Sequence, residues 1–169
     1  MGFWSQKKVF LTGHTGFKGS WLTLWLQQLG ADVTGYSLAP DDIPNMFDSI
    51  RQEQNLTSQI ANILDLEKLQ NAVCKSNPDV VFHFAAQPIV VEGYEYPHKT
   101  FATNIMGTVN VLESIRGLQK QVAVVIVTTD KCYEIREDRD SSFTETDRLG
   151  GVDPYSSSKS CAELVTNAY

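Results

Sequence analysis

The stretch VFLTGHTGFKGSWL, residues 9–22, joins an apolar run to a helical pattern through three glycines. Gly13, Gly16 and Gly19 follow the pattern Gly-x-x-Gly-x-x-Gly. Glycines in a strand-to-helix turn permit a tight backbone that can approach a pyrophosphate, and the free N–H groups of the helix N-terminus attract that anion. The position of the triplet, between the first strand and the first helix, predicts a dinucleotide-binding fold. A glycine-rich turn without a ligand is the alternative.

Strands and helices alternate along the rest of the chain. Strands are predicted at residues 7–13, 32–38, 58–64, 79–86 and 122–129, and helices at 17–30, 65–77, 98–118 and 155–169. This alternation is typical of an α/β fold with a doubly wound parallel sheet of the Rossmann type. The apolar stripe of the first helix is predicted to comprise Trp21, Leu22, Trp25, Leu26 and Leu29.

Composition limits the classes of function. The 169 residues suit one domain, and a formal charge of -6 argues against a general attraction to nucleic acid or to an anionic membrane. The apolar runs are too short to span a bilayer, and the N-terminus lacks the apolar core of a signal peptide, so a cytoplasmic protein is predicted. Cys74, Cys132 and Cys161 show no metal or disulfide spacing and are expected to be buried or partly buried.

The last helical pattern, residues 155–169, is still running at the final residue. We therefore expect residues 1–169 to be an incomplete NAD(P)-binding domain of the Rossmann type, the N-terminal part of a longer protein whose C-terminal substrate domain is absent. A complete gene with a stop codon after Tyr169 would contradict this expectation.

The residues that would choose between NAD and NADP give mixed signals. NAD-binding chains usually carry an acidic residue about 20 positions after the glycine loop. Here Gly35 to Ser37 stand at that place, and the first acids, Asp41 and Asp42, come late. His14 and Lys18 lie in the glycine loop and could meet a phosphate, so both cofactors stay open.

The segment PYSSSK places Tyr155 and Lys159 four residues apart, as neighbours on one helix face. An ammonium group beside a phenol favours the phenolate. A phenolate near a nicotinamide can take a hydroxyl proton while hydride leaves the carbon. An exposed polar helix face is the alternative, and the glycine loop at the N-terminus favours the catalytic interpretation.

Three polar residues, Thr129, Asp130 and Lys131, follow the apolar run VAVVIV. The carboxyl end of that strand should face the nicotinamide pocket of a doubly wound sheet. Thr129 would then bridge the substrate hydroxyl and the tyrosine, with Asp130 as an acid and Lys131 as a base beside the reacting sugar. An ordinary polar loop at a strand end is the alternative.

These motifs resemble the extended short-chain dehydrogenase/reductase family and, within it, the CDP-glucose 4,6-dehydratases. The matching stretches cover most of the chain and include TGHTGFKGSWL, VVFHFAAQPIV, TFATNIMGTVNVLE, VTTDKCYE and LGGVDPYSSSKSCAELV. The resemblance implies a lyase that uses NAD, with NADP not excluded, and a nucleotide-sugar substrate, CDP-glucose. It also implies a homodimer and a place in nucleotide-sugar metabolism, in lipopolysaccharide O-antigen biosynthesis.

The resemblance further implies a three-step reaction. Tyr155, helped by Lys159 and Thr129, takes the C4 hydroxyl proton while hydride passes to NAD. The resulting ketone acidifies C5, where Lys131 in its neutral form removes the proton while Asp130 protonates the leaving C6 hydroxyl. Hydride then returns to C6, so the cofactor ends as it began.

Cofactor-binding positions follow from the same resemblance. They are Gly13, His14, Thr15, Gly16, Phe17, Lys18, Gly19, Asn62, Ile63, Ala85, Ala86, Gln87, Asn104, Thr128, Tyr155 and Lys159. The chain departs from the family at Asn62, where aspartate is usual, and at Val91 and Gly93, where arginine and serine are usual. Residues 134–147 also lack the tryptophan-rich character of the family. These departures bear on substrate identity more than on reaction type.

Two other functions remain open at this point. The first is a sugar-nucleotide epimerase of the same family, against which the Asp130–Lys131 pair argues. The second is a non-catalytic dinucleotide-binding fragment, which the end of the chain within a helical pattern and the departures at Asn62 and Val91 favour. His83, on an otherwise apolar strand, is predicted to be a packed core residue rather than a catalytic base.

Overall fold

In the part of the chain that the structure describes, five parallel strands form one sheet. The computed structural model describes residues 2–40, 43–51, 56–135 and 142–169. The strands are β1 Lys8–Thr12, β2 Asp32–Ser37, β3 Thr57–Ile60, β4 Val80–His83 and β5 Ala123–Ile126. Their order is β3-β2-β1-β4-β5, and every pairing is parallel. The predicted fold class and all five predicted strands are therefore confirmed.

Helices connect the strands, as the alternating pattern predicts. The α-helices of the described residues are α1 Phe17–Gln28, α2 Met46–Arg51, α3 Leu66–Ser76, α4 Val90–Glu95, α5 Pro97–Phe101, α6 Gly107–Arg116 and α7 Pro154–Ala168. The four predicted helices are confirmed, whereas the short helices α2 and α4 were not predicted. No helix of the described residues is long and apolar enough to cross a membrane.

The chain divides into two compact units. Unit 1 consists of Met1–Ala85 and Asn110–Val127, and unit 2 of Ala86–Val109 and Thr128–Tyr169. All five strands belong to unit 1. Unit 2 contains α4, α5, α7 and all five residues predicted to be catalytic.

Side chains from both faces of the sheet form the core of unit 1. On one face, Phe10, Tyr36 and Val81 are buried together with residues of α3 and α6. On the other face, the neighbouring strand residues Val9 and Leu11 are buried together with residues of α1 and β2. Successive residues of a strand point to opposite faces, so β1 supplies both clusters, as a doubly wound sheet requires.

The buried face of α1 differs from the predicted apolar stripe. Trp21 and Trp25 are 50% and 63% exposed, whereas Leu26 is 2% exposed. The side of the helix that is buried carries mostly small residues, including Ser20 and Thr23. Small side chains let the helix lie close to the sheet, so the bulky indoles stay outside and the predicted stripe is wrong for them.

The predicted helix at residues 98–118 contains an irregular turn. Its backbone runs through α5, a π-helical turn at Ala102–Met106 and then α6. The wider π turn contains Asn104, which is buried. Such turns inside α-helices frequently mark functional sites, and this one contains a residue predicted to contact the cofactor.

The cysteines follow the prediction in part. Cys132 is buried and Cys161 is partly buried, but Cys74 is exposed on α3. The expectation that each would be buried or partly buried is therefore wrong for Cys74, because it lies outside the buried stripe formed by Leu69, Ala72 and Val73.

Candidate functional site

The glycine loop of unit 1 is packed too tightly for side chains at two positions. Gly13 has φ of +77°, and a Cβ placed there would lie 2.7 Å from the backbone nitrogen of Ala85. A Cβ at Gly19 would lie 2.0 Å from the carbonyl oxygen of Gly13. The backbone of the loop therefore folds against α1 and against the end of β4 in a way that glycine alone permits.

The N-terminus of α1 suits an anion. The helix begins at Phe17 after Gly16, which provides no side-chain cap, and its first turn contains no acidic residue. The first N–H groups of a helix have no partner within the helix, and its dipole places positive charge there. These features fit the pyrophosphate of a dinucleotide, and Lys18 adds a cation in the same exposed turn.

The side chains of His14 and Thr15 point inward. The His14 ring is fully buried, lies edge-on to Phe47, and its Nε2 is 2.7 Å from Ser58 Oγ. Thr15 Oγ1 donates to the carbonyl oxygen of Leu38 at 2.8 Å. Both side chains hold the loop in place, so contact with a phosphate at these positions is left to their backbone N–H groups.

Asn62 and Ile63 follow β3 in unit 1. Asn62 Oδ1 accepts a hydrogen bond of 2.9 Å from the Leu64 N–H, and the Asn62 carbonyl accepts one of 3.2 Å from Tyr36 Oη. Ile63 is buried in the core, and its carbonyl accepts from Asn110 Nδ2 at 3.0 Å. Asn62 is exposed and reachable by a ligand, but its amide oxygen already has a backbone partner.

His83 is a packed core residue, as predicted. It is 3% exposed at the end of β4, and its Nδ1 is 2.7 Å from Thr12 Oγ1 on the neighbouring strand. The same threonine oxygen accepts a 3.2 Å hydrogen bond from the Ala85 N–H. His83 therefore helps to hold the strand end from which the Ala85 loop begins.

In unit 2, α7 presents the Tyr155 and Lys159 pair. Asp153 caps the helix by accepting a 3.0 Å hydrogen bond from the Ser156 N–H, and Pro154 occupies the first helical position. Desolvation opposes ionisation of Asp153, but hydrogen bonds from Ser156 hold the pKa of its carboxyl below the usual value. The cap fixes the first turn of α7, which carries Tyr155.

Lys159 is buried although it carries a charge. Its side chain belongs to a residue that is 8% exposed, and desolvation lowers its pKa to about 8, an effect that the Glu163 carboxylate partly opposes. Tyr155, one turn earlier on the same face, is partly exposed. A buried ammonium next to a phenol that solvent can reach suits proton transfer to and from a ligand.

The predicted acid and base lie in a short 3-10 turn. Thr129 precedes this turn, which comprises Asp130–Cys132, and its Oγ1 is 3.1 Å from Asp130 Oδ1 and 3.4 Å from the Lys131 N–H. Asp130 and Lys131 are exposed, whereas Cys132 is buried. The turn thus anchors itself through the cysteine and presents the two charged side chains to solvent.

Gln87 and Asn104 form a buried network in unit 2. The Gln87 N–H donates to Asn104 Oδ1 at 2.8 Å, and Asn104 Nδ2 donates to Ser158 Oγ at 2.8 Å. Gln87 Nε2 also donates to Glu92 Oε2 at 2.8 Å. The network ties the loop after β4 to the π turn and to α7, in the turn that holds Tyr155.

The structure divides the predicted site residues between the two units. Unit 1 contains Gly13, His14, Thr15, Gly16, Phe17, Lys18, Gly19, Asn62, Ile63 and Ala85, and unit 2 contains Ala86, Gln87, Asn104, Thr128, Thr129, Asp130, Lys131, Tyr155 and Lys159. Sequence reasoning did not identify Ser158 and Glu163. The spacing of Glu163, four residues after Lys159, could have revealed it. Asp41, Asp42 and residues 136–141 lie outside the described residues.

Comparison with known proteins places this chain in a family. The family model described as GDP-mannose 4,6 dehydratase matches residues 10–169. The CDP-glucose 4,6-dehydratase of Salmonella typhimurium is 49% identical over 99% of this chain and 46% of its own length. The UDP-glucose 4-epimerase of Mycoplasma genitalium is 28% identical over 97% of this chain and 48% of its own length.

A solved structure of a related dehydratase has a similar fold over most of this chain. The dTDP-glucose 4,6-dehydratase of Bacillus anthracis in complex with NAD superposes with a TM-score of 0.79 at 27% identity, over 95% of this chain and 49% of that one. The chain therefore spans about half the length of the relatives that it matches.

Proposed function

We propose, from the premise that this chain belongs to the GDP-mannose 4,6 dehydratase family, that it forms the cofactor-binding part of a sugar-nucleotide 4,6-dehydratase. The substrate that we propose is CDP-glucose, and the product is CDP-4-keto-6-deoxyglucose plus water. The observation that carries the proposal is the buried Lys159 one turn after Tyr155 on α7, together with the exposed pair Asp130 and Lys131 in the 3-10 turn that contacts α7. The 49% identity to a CDP-glucose 4,6-dehydratase supports the choice of sugar nucleotide.

NAD is the cofactor that we propose, since a related dehydratase structure is an NAD complex. The N–H groups at the start of α1 and the backbone of the loop from Gly13 to Gly19 would hold its pyrophosphate. When bound, NAD supplies the acceptor for the substrate hydride and returns that hydride later in the cycle. Asn62 would contact the adenine end, and Ala85, Ala86 and the residues around Thr128 would line the cofactor.

The residues of unit 2 have separate tasks in this proposal. Tyr155 takes the proton of the C4 hydroxyl as a phenolate, and the ammonium group of Lys159 stabilises that phenolate. Thr129 donates a hydrogen bond that orients the hydroxyl. With a carbonyl at C4, Lys131 acts as the base that removes the acidified C5 proton, and Asp130 acts as the acid that gives a proton to the departing C6 hydroxyl.

Asn104 supports this arrangement indirectly. It binds both Gln87 and Ser158, and Ser158 lies beside Lys159 in the sequence and is fully buried. Its amide therefore fixes α7 relative to the π turn inside unit 2. Loss of these hydrogen bonds would leave buried polar groups without partners, each at a cost of about 1–3 kcal/mol.

An epimerase is the second candidate, since UDP-glucose 4-epimerases are among the relatives at 28% identity. Epimerisation inverts C4 and has no use for an acid and a base beside C5 and C6. Asp130 and Lys131 therefore favour the dehydratase. The mass of the product separates the two reactions, because an epimerase leaves it unchanged.

The test uses the longest obtainable form of this protein with NAD and CDP-glucose, and follows the sugar nucleotide by mass spectrometry. We expect the loss of one water, at a rate that Tyr155→Phe or Lys131→Ala lowers by at least about 100-fold. Lys75→Ala, an exposed lysine of α3, is the matched control and should leave the rate unchanged. An unchanged substrate mass with bound NAD would overturn the dehydratase and leave either an epimerase or a dinucleotide-binding fragment. A homodimer and a cytoplasmic location stay predictions, the first testable by light scattering.

A further inference from the structure

Glu163 lies on α7 four residues after Lys159, and the reaction proposed above gives it no task. Residues four apart on a helix are neighbours on one face, so Tyr155, Lys159 and Glu163 form a continuous row over two turns. Glu163 is partly buried rather than solvated. A carboxylate in that position, directly beyond a buried ammonium, calls for an explanation.

Burial makes the protonated form of Lys159 unfavourable. Lysines are almost never fully buried unless they are paired, because desolvation penalises the ammonium form. Lys159 is 8% exposed, and desolvation is the main reason for its low pKa of about 8. Loss of a neighbouring negative charge would lower the pKa of this lysine further, and a neutral amine cannot stabilise the Tyr155 phenolate.

Thr128 fixes the carboxylate of Glu163. Its Oγ1 donates a hydrogen bond to Glu163 Oε1, which joins α7 to the segment that precedes the 3-10 turn. The Glu163 carboxylate also acts on Cys132 in that turn. Burial is the main cause that raises the pKa of the Cys132 thiol, and the negative charge of Glu163 is the second. The negative charge is thus held at a set place by a partner from outside its own helix.

Several other titratable residues lie on α7 and on the elements packed against it. In the described part of the chain they are Glu92, Tyr94, Glu95, Tyr96, His98, Lys99, Asp130, Lys131, Cys132, Asp153, Tyr155 and Cys161. Glu92 is engaged with Gln87, and Asp153 caps α7. The Glu163 carboxylate acts to raise the pKa of Lys159.

We propose that Glu163 is a positioning residue for the catalytic pair. Held by Thr128, its carboxylate supplies the negative charge that keeps the buried Lys159 protonated, and the protonated Lys159 in turn favours the Tyr155 phenolate. The part concerning Tyr155 rests on the proposed function. The part concerning the charge of Lys159 is a property of this chain and needs no substrate.

The test measures the protonation of Lys159 directly. The lysines of the chain are labelled with ¹³C at Cε, and their chemical shifts are followed by NMR from pH 6 to 11. Lys159→Arg identifies the Lys159 resonance by its absence. Glu163→Gln removes the charge but keeps an oxygen that can accept from Thr128, so the fold should be retained.

We expect Glu163→Gln to lower the proton affinity of Lys159 by about tenfold, the usual effect of one nearby opposite charge. Thr128→Val, which keeps the charge but releases the carboxylate, should give a smaller decrease. Glu145→Gln removes an exposed carboxylate of the same unit and should leave the Lys159 titration unchanged. Unchanged titration of Lys159 in Glu163→Gln would overturn the proposal, and so would an equal decrease in Glu145→Gln.

Activity gives an independent readout. In the longest active form, Glu163→Gln should move the alkaline limb of the pH dependence of kcat toward lower pH, since Lys159 then loses at lower pH the charge that stabilises the phenolate. If the Lys159 titration shifts but no dehydration occurs with any form, the assignment of Glu163 stands and the proposed reaction fails. If dehydration occurs and the titration is unchanged, the reaction stands and the assignment of Glu163 fails.

Discussion

One backbone atom, the carbonyl oxygen of Gly13, limits which residue can occupy position 19. A Cβ at position 19 would lie 2.0 Å from it, and no side-chain rotation relieves a contact between Cβ and backbone. A Cβ at position 16 would lie 3.4 Å from the same oxygen, which is an ordinary contact. The two glycines look equivalent in the sequence, but their steric roles differ.

Gly19→Ala should therefore lower the free energy of unfolding by roughly 2–4 kcal/mol, because the loop must move away from α1. Gly16→Ala is the matched control and should change it by less than about 1 kcal/mol. Urea denaturation followed by circular dichroism measures both. Equal destabilisation by the two variants would show that the contact at Gly13 does not govern the loop.

At the scale of single residues, the sequence predicts which side chains are neighbours better than it predicts whether each side chain is buried. The spacing identified Tyr155 and Lys159 as neighbours, but spacing contains no information on desolvation, and the burial of Lys159 depends on packing within unit 2. His14 shows the same limit. Its place in the glycine loop suggested a phosphate contact, whereas its ring is buried against Phe47 and Ser58.

At the scale of elements, α1 shows why apolar periodicity can mislead. Trp21, Trp25 and Leu26 all match a helical repeat, but the small residues Ser20 and Thr23 occupy the side near the sheet. Close packing of a helix on a sheet needs small side chains at the contact, and periodicity of apolar residues cannot detect them. The start of α1, set by the glycines, was predicted well because glycine acts locally.

Leu26 and Trp25 are adjacent residues with opposite environments. Leu26→Ala should lower the free energy of unfolding by about 2–4 kcal/mol, since it leaves a cavity in the core of unit 1. Trp25→Gln removes a larger side chain that is mostly exposed, and it should cost less than about 1 kcal/mol. Chemical denaturation compares them directly. A larger loss for Trp25→Gln would mean that the indole is buried in solution.

The helix predicted at residues 98–118 was correct in extent but not in its internal geometry. A π turn needs one extra residue in the helical repeat, which periodicity does not resolve over five residues. Asn104 lies in this turn, where its side-chain amide donates hydrogen bonds to the Gln87 carbonyl and to Ser158 Oγ. These hydrogen bonds stabilise the wider backbone turn. Asn104 is predicted from the family resemblance alone, which indicates a role but not a backbone form.

At the scale of the whole molecule, the order of the strands determines which backbone is protected. β1 lies between β2 and β4 and is hydrogen-bonded on both sides, whereas β3 and β5 are the two edges. Amide hydrogens of central strands exchange only through large-scale opening, but edge strands exchange through local fraying.

We expect amide hydrogens of Val9 to Leu11 to exchange slowest, and those of β3 and β5 at least about tenfold faster. Hydrogen–deuterium exchange followed by mass spectrometry of peptides measures these rates. Slow exchange in β5 that matches β1 would show that its outer edge is covered in solution. A rate independent of strand position would contradict the sheet order itself.

The parallel sheet could be predicted from the sequence because the same pattern, an apolar run followed by a helical repeat, recurs along the chain. Each apolar run followed by a helical pattern carries the same information, so an error in one element does not change the class of fold. The weak strand β3 illustrates this, since none of its four residues is buried and it was still predicted. The division into two units was not predicted, because segments of both units alternate along the chain.

The exposed indoles of α1 allow intrinsic tryptophan fluorescence to report on this surface. Two of its three tryptophans, Trp21 and Trp25, lie on the outer side of the helix that starts at the glycine loop. Indole emission moves to shorter wavelength when water leaves the ring. The wavelength of maximum emission therefore shows, without any added label, whether another surface covers α1.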